Sequence, residues 1–249
     1  MNNTDINEQF FSEMWGGEWV FKYFENSAGS RWFLSMLSDL IKKIDPNEVN
    51  TIVDLGCGVG VKSAYLAKQY PKAKVIGFDF AEPAIQAANN YWKYKNLSFS
   101  TDDVTKDNSN KYDIVCMFDV LEHLEDWKNM LDKIVIIASK YIFLSFPTGR
   151  MRSYEKHIGH YRNFVRGEVE SYIVENNFSL LERYNAGFPF FSPILRDLTN
   201  LFFNEYAEIT YHKMSRIAQI GHNLYYVLLR YLSFKRIGDH CILLFKRDT

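Results

Sequence analysis

Between residues 51 and 60 the chain reads Thr51-Ile52-Val53-Asp54-Leu55-Gly56-Cys57-Gly58-Val59-Gly60. A short apolar run enters three alternating glycines and leaves into a helix-like segment. Such a loop turns a strand into a helix and brings bare backbone against a ligand with no Cβ in the way. Nineteen residues past Gly60, the apolar run Val75-Ile76-Gly77-Phe78-Asp79 ends on a carboxylate. Glycines under one part of a ligand, and an acid after the next strand to accept from ribose hydroxyls, are the layout for holding a nucleoside.

The glycine spacing differs from the G-x-G-x-x-G dinucleotide fingerprint, residue 61 is Val, and no GK[ST] loop follows, so a phosphate cradle is disfavoured. The stretch Val53 to Gly60, with Asp54, Gly56, Gly58 and Gly60, resembles the first motif of class I S-adenosylmethionine-dependent methyltransferases. Phe78-Asp79 resembles the ribose-binding second motif, and Phe80, next in the chain, is either core or a wall against the adenine face. Asp102-Asp103-Val104 sits where that family reads adenine, with Asp103 and Val104 as the readers. Met117-Phe118-Asp119-Val120-Leu121-Glu122-His123-Leu124 resembles the fourth motif, and the resemblance places Phe118 and Asp119 at the methionine end. It spans about residues 50 to 185 and implies S-adenosylmethionine as cofactor. Cys57 reads as a small filler in the loop.

Strand-like runs near 51–55, 74–79, 97–100, 112–118 and 140–146 alternate with helix-like runs near 61–69, 82–93 and 126–138. Pro83 suits a first helical turn, and Ile85, Ala88 and Trp92 give that helix one apolar face. The alternation predicts an α/β fold with helices on both faces of a mostly parallel sheet, ligand at the carboxyl ends of the strands. With Phe178–Tyr184 and Cys241–Lys246 added, the expectation is a three-layer, Rossmann-like seven-stranded sheet, its last two strands an antiparallel pair as the resemblance implies. The expected organisation is a single domain over 1–249. A helical cap occupies 1–48, the cofactor-binding core 49–187, a helical insertion or lid 188–237 and the last strand 238–249. Phe10, Phe11 and Met14 belong to the cap, with Trp15 and Trp19 reaching the pocket.

Composition narrows the class. With 47% hydrophobic and 24% charged residues this reads as a soluble globular chain, and 16% aromatics is high. A net charge of −1 gives no nucleic-acid signature, and Asp119-Val-Leu-Glu122 lacks [DN]PP[YF], so no nucleic-acid partner is expected. Three scattered cysteines (Cys57, Cys116, Cys241), no leader pattern and no apolar run of about 18 residues make a cytoplasmic location the expectation.

Two constellations compete for the chemistry. On one helical turn Asp119, Glu122 and His123 share a face and form a candidate divalent-metal set, similar to that of ubiquinone-pathway O-methyltransferases, with magnesium as the ion. Alternatively the triplet only packs the turn. The second constellation is Glu155-Lys-His157-Ile-Gly-His160-Tyr-Arg162-Asn-Phe164. A neutral histidine (His157 or His160) there accepts a hydroxyl proton, while Arg162 and Arg152 hold phosphate or carboxylate. The same residues serve equally well to tie the loop to neighbouring carboxylates. This loop resembles methyltransferases of bacterial surface-polysaccharide pathways.

Tyr211 to Gly238, with Lys213, Arg216, Arg230, Lys235 and Arg236 and no acid before Asp239, reads as a lid or dimer surface first and an anionic membrane contact second. The combined expectation is an O-methyltransferase, monomeric or homodimeric, acting on a small polar acceptor. The acceptor expected is a nucleotide- or lipid-linked sugar of capsule biosynthesis. The alternatives are a metal-dependent quinone or catechol O-methyltransferase and a small-molecule N-methyltransferase.

Overall fold

The computed structural model describes residues 19–106, 109–202 and 214–248. The expected contributions of Phe10, Phe11, Met14, Trp15, Tyr211 and Lys213 lie outside these residues. In chain order the elements are α1 (Trp19–Asn26), α2 (Ala28–Ile41), β1 (Thr51–Leu55), α3 (Val61–Gln69), β2 (Lys74–Phe78), α4 (Glu82–Tyr91), β3 (Leu97–Ser100) and β4 (Tyr112–Phe118). They continue with α5 (Trp127–Ile137), β5 (Ala138–Pro147), α6 (Ser153–His157), α7 (Glu168–Val174), β6 (Phe178–Ala186), α8 (Arg196–Phe202), α9 (Arg216–Val227) and β7 (His240–Arg247).

The sheet has seven strands in the order β3-β2-β1-β4-β5-β7-β6. The first five are parallel, and β7 runs antiparallel to both β5 and β6. The period-2 pleat divides the core cleanly. Ile52, Ile114, Phe143 and Ile242 face one cluster with Met36, Leu37 and Leu40 of α2. Their chain neighbours Val53, Val115, Leu144 and Leu243 face the other, with Leu131 and Ile134 of α5 and Ile173 of α7. Helix α2 starts where the Ser27 Oγ accepts from Ser30 N at 3.3 Å. At about 2 kcal/mol for each fully buried large apolar side chain, its core face holds it firmly on the sheet.

Strand direction decides what reaches the ligand edge. The parallel strands β1, β2, β4 and β5 all end there. Because β7 is antiparallel, it contributes its first residue instead: His240 is in register with Pro147, the last residue of β5. The 178–186 strand likewise ends opposite His240. The segment after β6 then packs back over the cap, where Ala28 N donates to His222 Nδ1 (3.1 Å) and Arg31 Nη1 to Asn223 Oδ1 (2.6 Å), and it is tied to itself where Tyr225 Oη donates to the Phe190 carbonyl (3.0 Å).

The loop between β1 and α3 is as tight as its glycines imply. Gly56 and Gly60 have φ of +73° and +76°, in the left-handed region. A Cβ on Gly56 would lie 2.4 Å from Val120 Cγ2, and one on Gly60 2.2 Å from Phe99 Cε1. Phe99 is itself buried in a cluster with Ile85 and Ala88, so its ring has little room to yield. Gly60→Ala therefore incurs both backbone strain and a clash. It is expected to lower unfolding free energy by about 2 kcal/mol or more in urea titrations. A loss under about 0.5 kcal/mol would show that the loop relaxes freely.

Candidate active site

A cavity of about 890 Å³ opens at the carboxyl edge of the sheet. One end is walled by Gly56, Cys57, Gly58, Val59, Asp79 and Phe80, the other by Trp32, Phe33, Tyr154, His160, Phe191 and His240, with Phe118, Asp119, Glu122 and His123 also lining it.

The nucleoside end is built by hydrogen bonds between strand ends. Asp79 Oδ2 accepts from Gly58 N at 2.8 Å and Oδ1 from Ala81 N at 2.9 Å. The second glycine is thus pinned to the end of β2, while each carboxylate oxygen keeps a lone pair for a ligand hydroxyl. Phe80, next in the chain, is 56% exposed beside the cavity, as a face for a flat base requires. Burial pushes the Asp79 carboxyl above its usual range, against its two backbone hydrogen bonds.

Three residues expected to touch the cofactor have other partners. Asp54 is buried and accepts from Ser63 Oγ at 2.6 Å, stapling β1 to the first turn of α3; burial pushes its pKa up to about 6. Asp103 Oδ1 accepts from Thr105 N and Oγ1 (3.0 and 2.6 Å), closing its own loop, and Val104 packs against the core. Neither Asp54, Asp103, Val104 nor Gly60 lines the cavity. Trp19 lines none of it either; Phe24, Trp32 and Phe33 supply the aromatic cover.

At the far end of β4, Asp119 adopts φ 59°, unusual for a residue with a Cβ. Its amide donates to the Ser145 carbonyl (2.9 Å), and its Oδ1 accepts from Ser145 Oγ (2.8 Å). Lys62 Nζ donates to Oδ2 at 2.8 Å. Burial pushes the Asp119 carboxyl up, but Lys62, with His240 and Ser145 behind it, prevails and holds it well below the usual range.

Beyond it stands a cluster drawn from two segments. Tyr161 N donates to the Glu122 carbonyl at 2.9 Å, which ties the 154–164 loop to the 121–123 turn. That contact sets the His160 ring 4.7 Å from the His123 ring, edge-on. Glu122, His123 and His160 each present a ligand atom within 4.8 Å of the others. Burial, then the neighbouring histidine, lowers His123 to about 3; burial lowers His160 to about 4. Glu122, buried and then repelled by Asp119, is pushed well above the carboxylate range, and its Oε2 has no hydrogen-bond partner among the described residues. At neutral pH the two imidazoles are therefore uncharged, beside an acid whose carboxyl is pushed upward by burial and by Asp119.

The set expected for magnesium does not converge. Asp119 belongs to Lys62 and Ser145, and His160 stands in its place. Two imidazoles with one carboxylate are a poor match for an ion that demands oxygen ligands. The anion-binding expectation also changes. Arg152 Nε is committed to Asp197 at 2.7 Å, and Arg162 Nη2 to the Glu125 carbonyl at 2.8 Å, outside the cavity lining. His157 is exposed and does not line the cavity. Arg196, which does, is neutralised by Glu155 and Asp239.

Residues 53–138 match the methyltransferase domain family. Among relatives, the malonyl-[acyl-carrier protein] O-methyltransferase of Bacillus anthracis is 27% identical over 60% of this chain and 55% of its own. The mitochondrial ubiquinone biosynthesis O-methyltransferase of Dictyostelium discoideum is 23% identical over 71% and 67%. The matches thus span about half to two thirds of those relatives' lengths. The fold of the N-methyltransferase NodS from Bradyrhizobium japonicum, solved with S-adenosyl-L-homocysteine, superposes with a TM-score of 0.59 at 14% identity, covering 98% of this chain and 99% of that one. The glycine loop, Asp79 and sheet order are similar to those of class I S-adenosylmethionine-dependent methyltransferases, and residues 53–138 carry the match to the methyltransferase domain.

The Glu122 environment has a measurable sign. A raised folded-state pKa means that the native state holds a proton the unfolded chain releases at ordinary carboxylate pH. The associated stability is full below about pH 4.5 and declines as pH rises. Glu122→Gln removes that dependence, so its melting temperature relative to wild type is expected to climb from pH 4.5 to pH 8. A difference that stays flat with pH would contradict the buried, protonated state.

Proposed function

We propose that the chain is an O-methyltransferase acting on an uncharged, ring-borne hydroxyl, with a phenolic or quinol-like acceptor as the first choice. The observation that carries this reading is the neutral His123–His160 pair with Glu122 in the same cavity as Asp119 and the glycine loop. S-adenosylmethionine, when bound, supplies an electrophilic methyl on a sulfonium and leaves as the neutral thioether.

The protein's own residues do the rest. The glycine loop, Asp79 and Phe80 position the nucleoside, and Asp119 fixes the amino-acid end. Trp32, Phe33 and Phe191 form a water-excluding wall for the acceptor ring. With the cofactor bound, its methyl would pass to the acceptor oxygen, the C–S bond giving way to the new C–O bond, and a ring nitrogen of His160 would take the hydroxyl proton. A base of pKa about 4 is weak. It suits a phenol, with a pKa of about 10, far better than an alkanol, which ionises near water's value of about 16. The walls are aromatic; Arg152 and Arg162, expected to hold phosphate, are tied to Asp197 and the Glu125 carbonyl, and Arg196 to Glu155 and Asp239. Those commitments favour an uncharged ring.

A neutral sugar hydroxyl, as in a surface-polysaccharide precursor, is the second reading. The aromatic walls also suit stacking on a sugar face. A cytoplasmic setting accords with three free cysteines, and no helix among the described residues is long and apolar enough to cross a membrane.

Incubation with labelled S-adenosylmethionine and paired panels of catechols, quinols and nucleotide sugars decides between the readings by product mass. Methylated phenol is expected; methylation of sugars alone would overturn the first choice, and of amines alone both. His160→Ala is expected to lower kcat/KM by about a hundredfold or more with S-adenosylhomocysteine affinity unchanged, and His157→Ala to leave it near wild type. Equal effects of the two would remove His160 from the chemistry. Because His160 stays neutral down to about pH 4, the acid limb of kcat/KM should fall near there and not near pH 6.5.

A further inference from the structure

His240 is the first residue of β7 and belongs to none of the recognised motifs. It stands in register with Pro147 of β5 and Ala186 of β6, at the ligand edge of the sheet. Its imidazole lines the cavity within the aromatic wall formed by Trp32, Phe33 and Phe191. The ring centre lies 5.6 Å from that of Trp32 and 5.7 Å from those of Phe33 and Phe191, edge-on to the two phenylalanines. Three neighbouring rings thus hold the imidazole in place. Burial lowers its pKa, so the ring is uncharged at neutral pH.

An uncharged imidazole carries one N–H donor and one bare acceptor nitrogen. In His240 the Nε2 is buried with no hydrogen-bond partner among the described residues. A polar atom left unsatisfied among aromatic rings destabilises the empty protein, and a phenylalanine would fill the space without that penalty. Asp119 and Arg196 act electrostatically on His160 and on His240 alike, so the two imidazoles border the same part of the cavity.

We propose that His240 selects the acceptor through a hydrogen bond to a second hydroxyl, on the ring whose first hydroxyl is methylated beside His160. A hydroxyl both donates and accepts, and so meets the imidazole nitrogen in either tautomer. A ring lacking it leaves that nitrogen unpartnered, and a site built around such a bond discriminates strongly against the analogue without the group. The proposal rests on the ring-hydroxyl reading above and names, within it, the residue that chooses among rings. The competing account is that His240 only packs, its N–H resting against the face of Phe33 or Phe191.

The test measures kcat/KM for phenol and for the 1,2-, 1,3- and 1,4-dihydroxybenzenes with labelled S-adenosylmethionine, in the wild type, His240→Phe and His240→Gln. In the wild type the best dihydroxybenzene should exceed phenol by about tenfold or more. In His240→Phe that ratio should fall to near one. In His240→Gln, whose amide both donates and accepts, part of it should return, and this variant covers the case in which His240→Phe fails to fold. Mere packing predicts equal losses for both kinds of acceptor, so an unchanged ratio in the variants would overturn the proposal. So would a wild type with no preference for the second hydroxyl, while leaving the ring-hydroxyl reading in place. A wild type that methylates none of these rings, but does methylate a nucleotide sugar or an amine, would overturn that reading and this proposal with it.

Discussion

The ligand cleft depends on how closely bare backbone at the end of β1 approaches its neighbours. At Gly56 the loop passes so near Val120, and at Gly60 so near Phe99, that a single methyl group has no room. That closeness lets the Gly58 amide reach the Asp79 carboxylate and makes one rigid rim of the ends of β1 and β2. Val120 opens the turn that carries Glu122 and His123, so the same approach sets how far those two residues stand from the glycine loop.

Burial creates the chemistry at the cost of stability. The cleft holds two acids whose pKa values are pushed apart, Asp119 downward by Lys62 and Glu122 upward by burial and by Asp119 itself. Two histidines and His240 are kept neutral by the same burial. Such a site supplies a proton acceptor and a fixed negative charge side by side. The aromatic residues that surround it, Trp32, Phe33 and Phe191, come from the cap and from the segment after β6, and neither belongs to the sheet. On the proposed reading the scaffold holds the cofactor, and these additions shape the acceptor pocket.

The sheet was largely legible in the sequence, because pleat and helix periodicities are local. Expected strands at 51–55, 97–100 and 112–118 coincide with β1, β3 and β4, while β5 extends to 138–147, further than the expected 140–146. Side-chain partnerships were less legible, because they form between segments far apart in the chain. Nothing in the spacing shows that Lys62 meets Asp119, that His160 meets His123, or that Arg152 turns to Asp197. His240 went unnoticed because its place follows from β7 being antiparallel, which brings the first residue of that strand to the ligand edge. The same holds for the ion pairs of the basic segment before β7. Arg230 and Lys235 pair with Asp39, and Arg236 with Glu182, so those cations serve to dock the segment. On α9, Ile217 is 83% and Leu224 65% exposed, while Tyr225 and Tyr226 pack against the core.

The most direct test of the central claim is a calorimetric titration of S-adenosylhomocysteine into the wild-type protein and into Asp79→Ala. One-site binding is expected in the wild type, weakened by about tenfold or more when the ribose-facing carboxylate is removed. No heat of binding in the wild type, or equal affinity in the two proteins, would contradict an adenosine clasped between the glycine loop and Asp79.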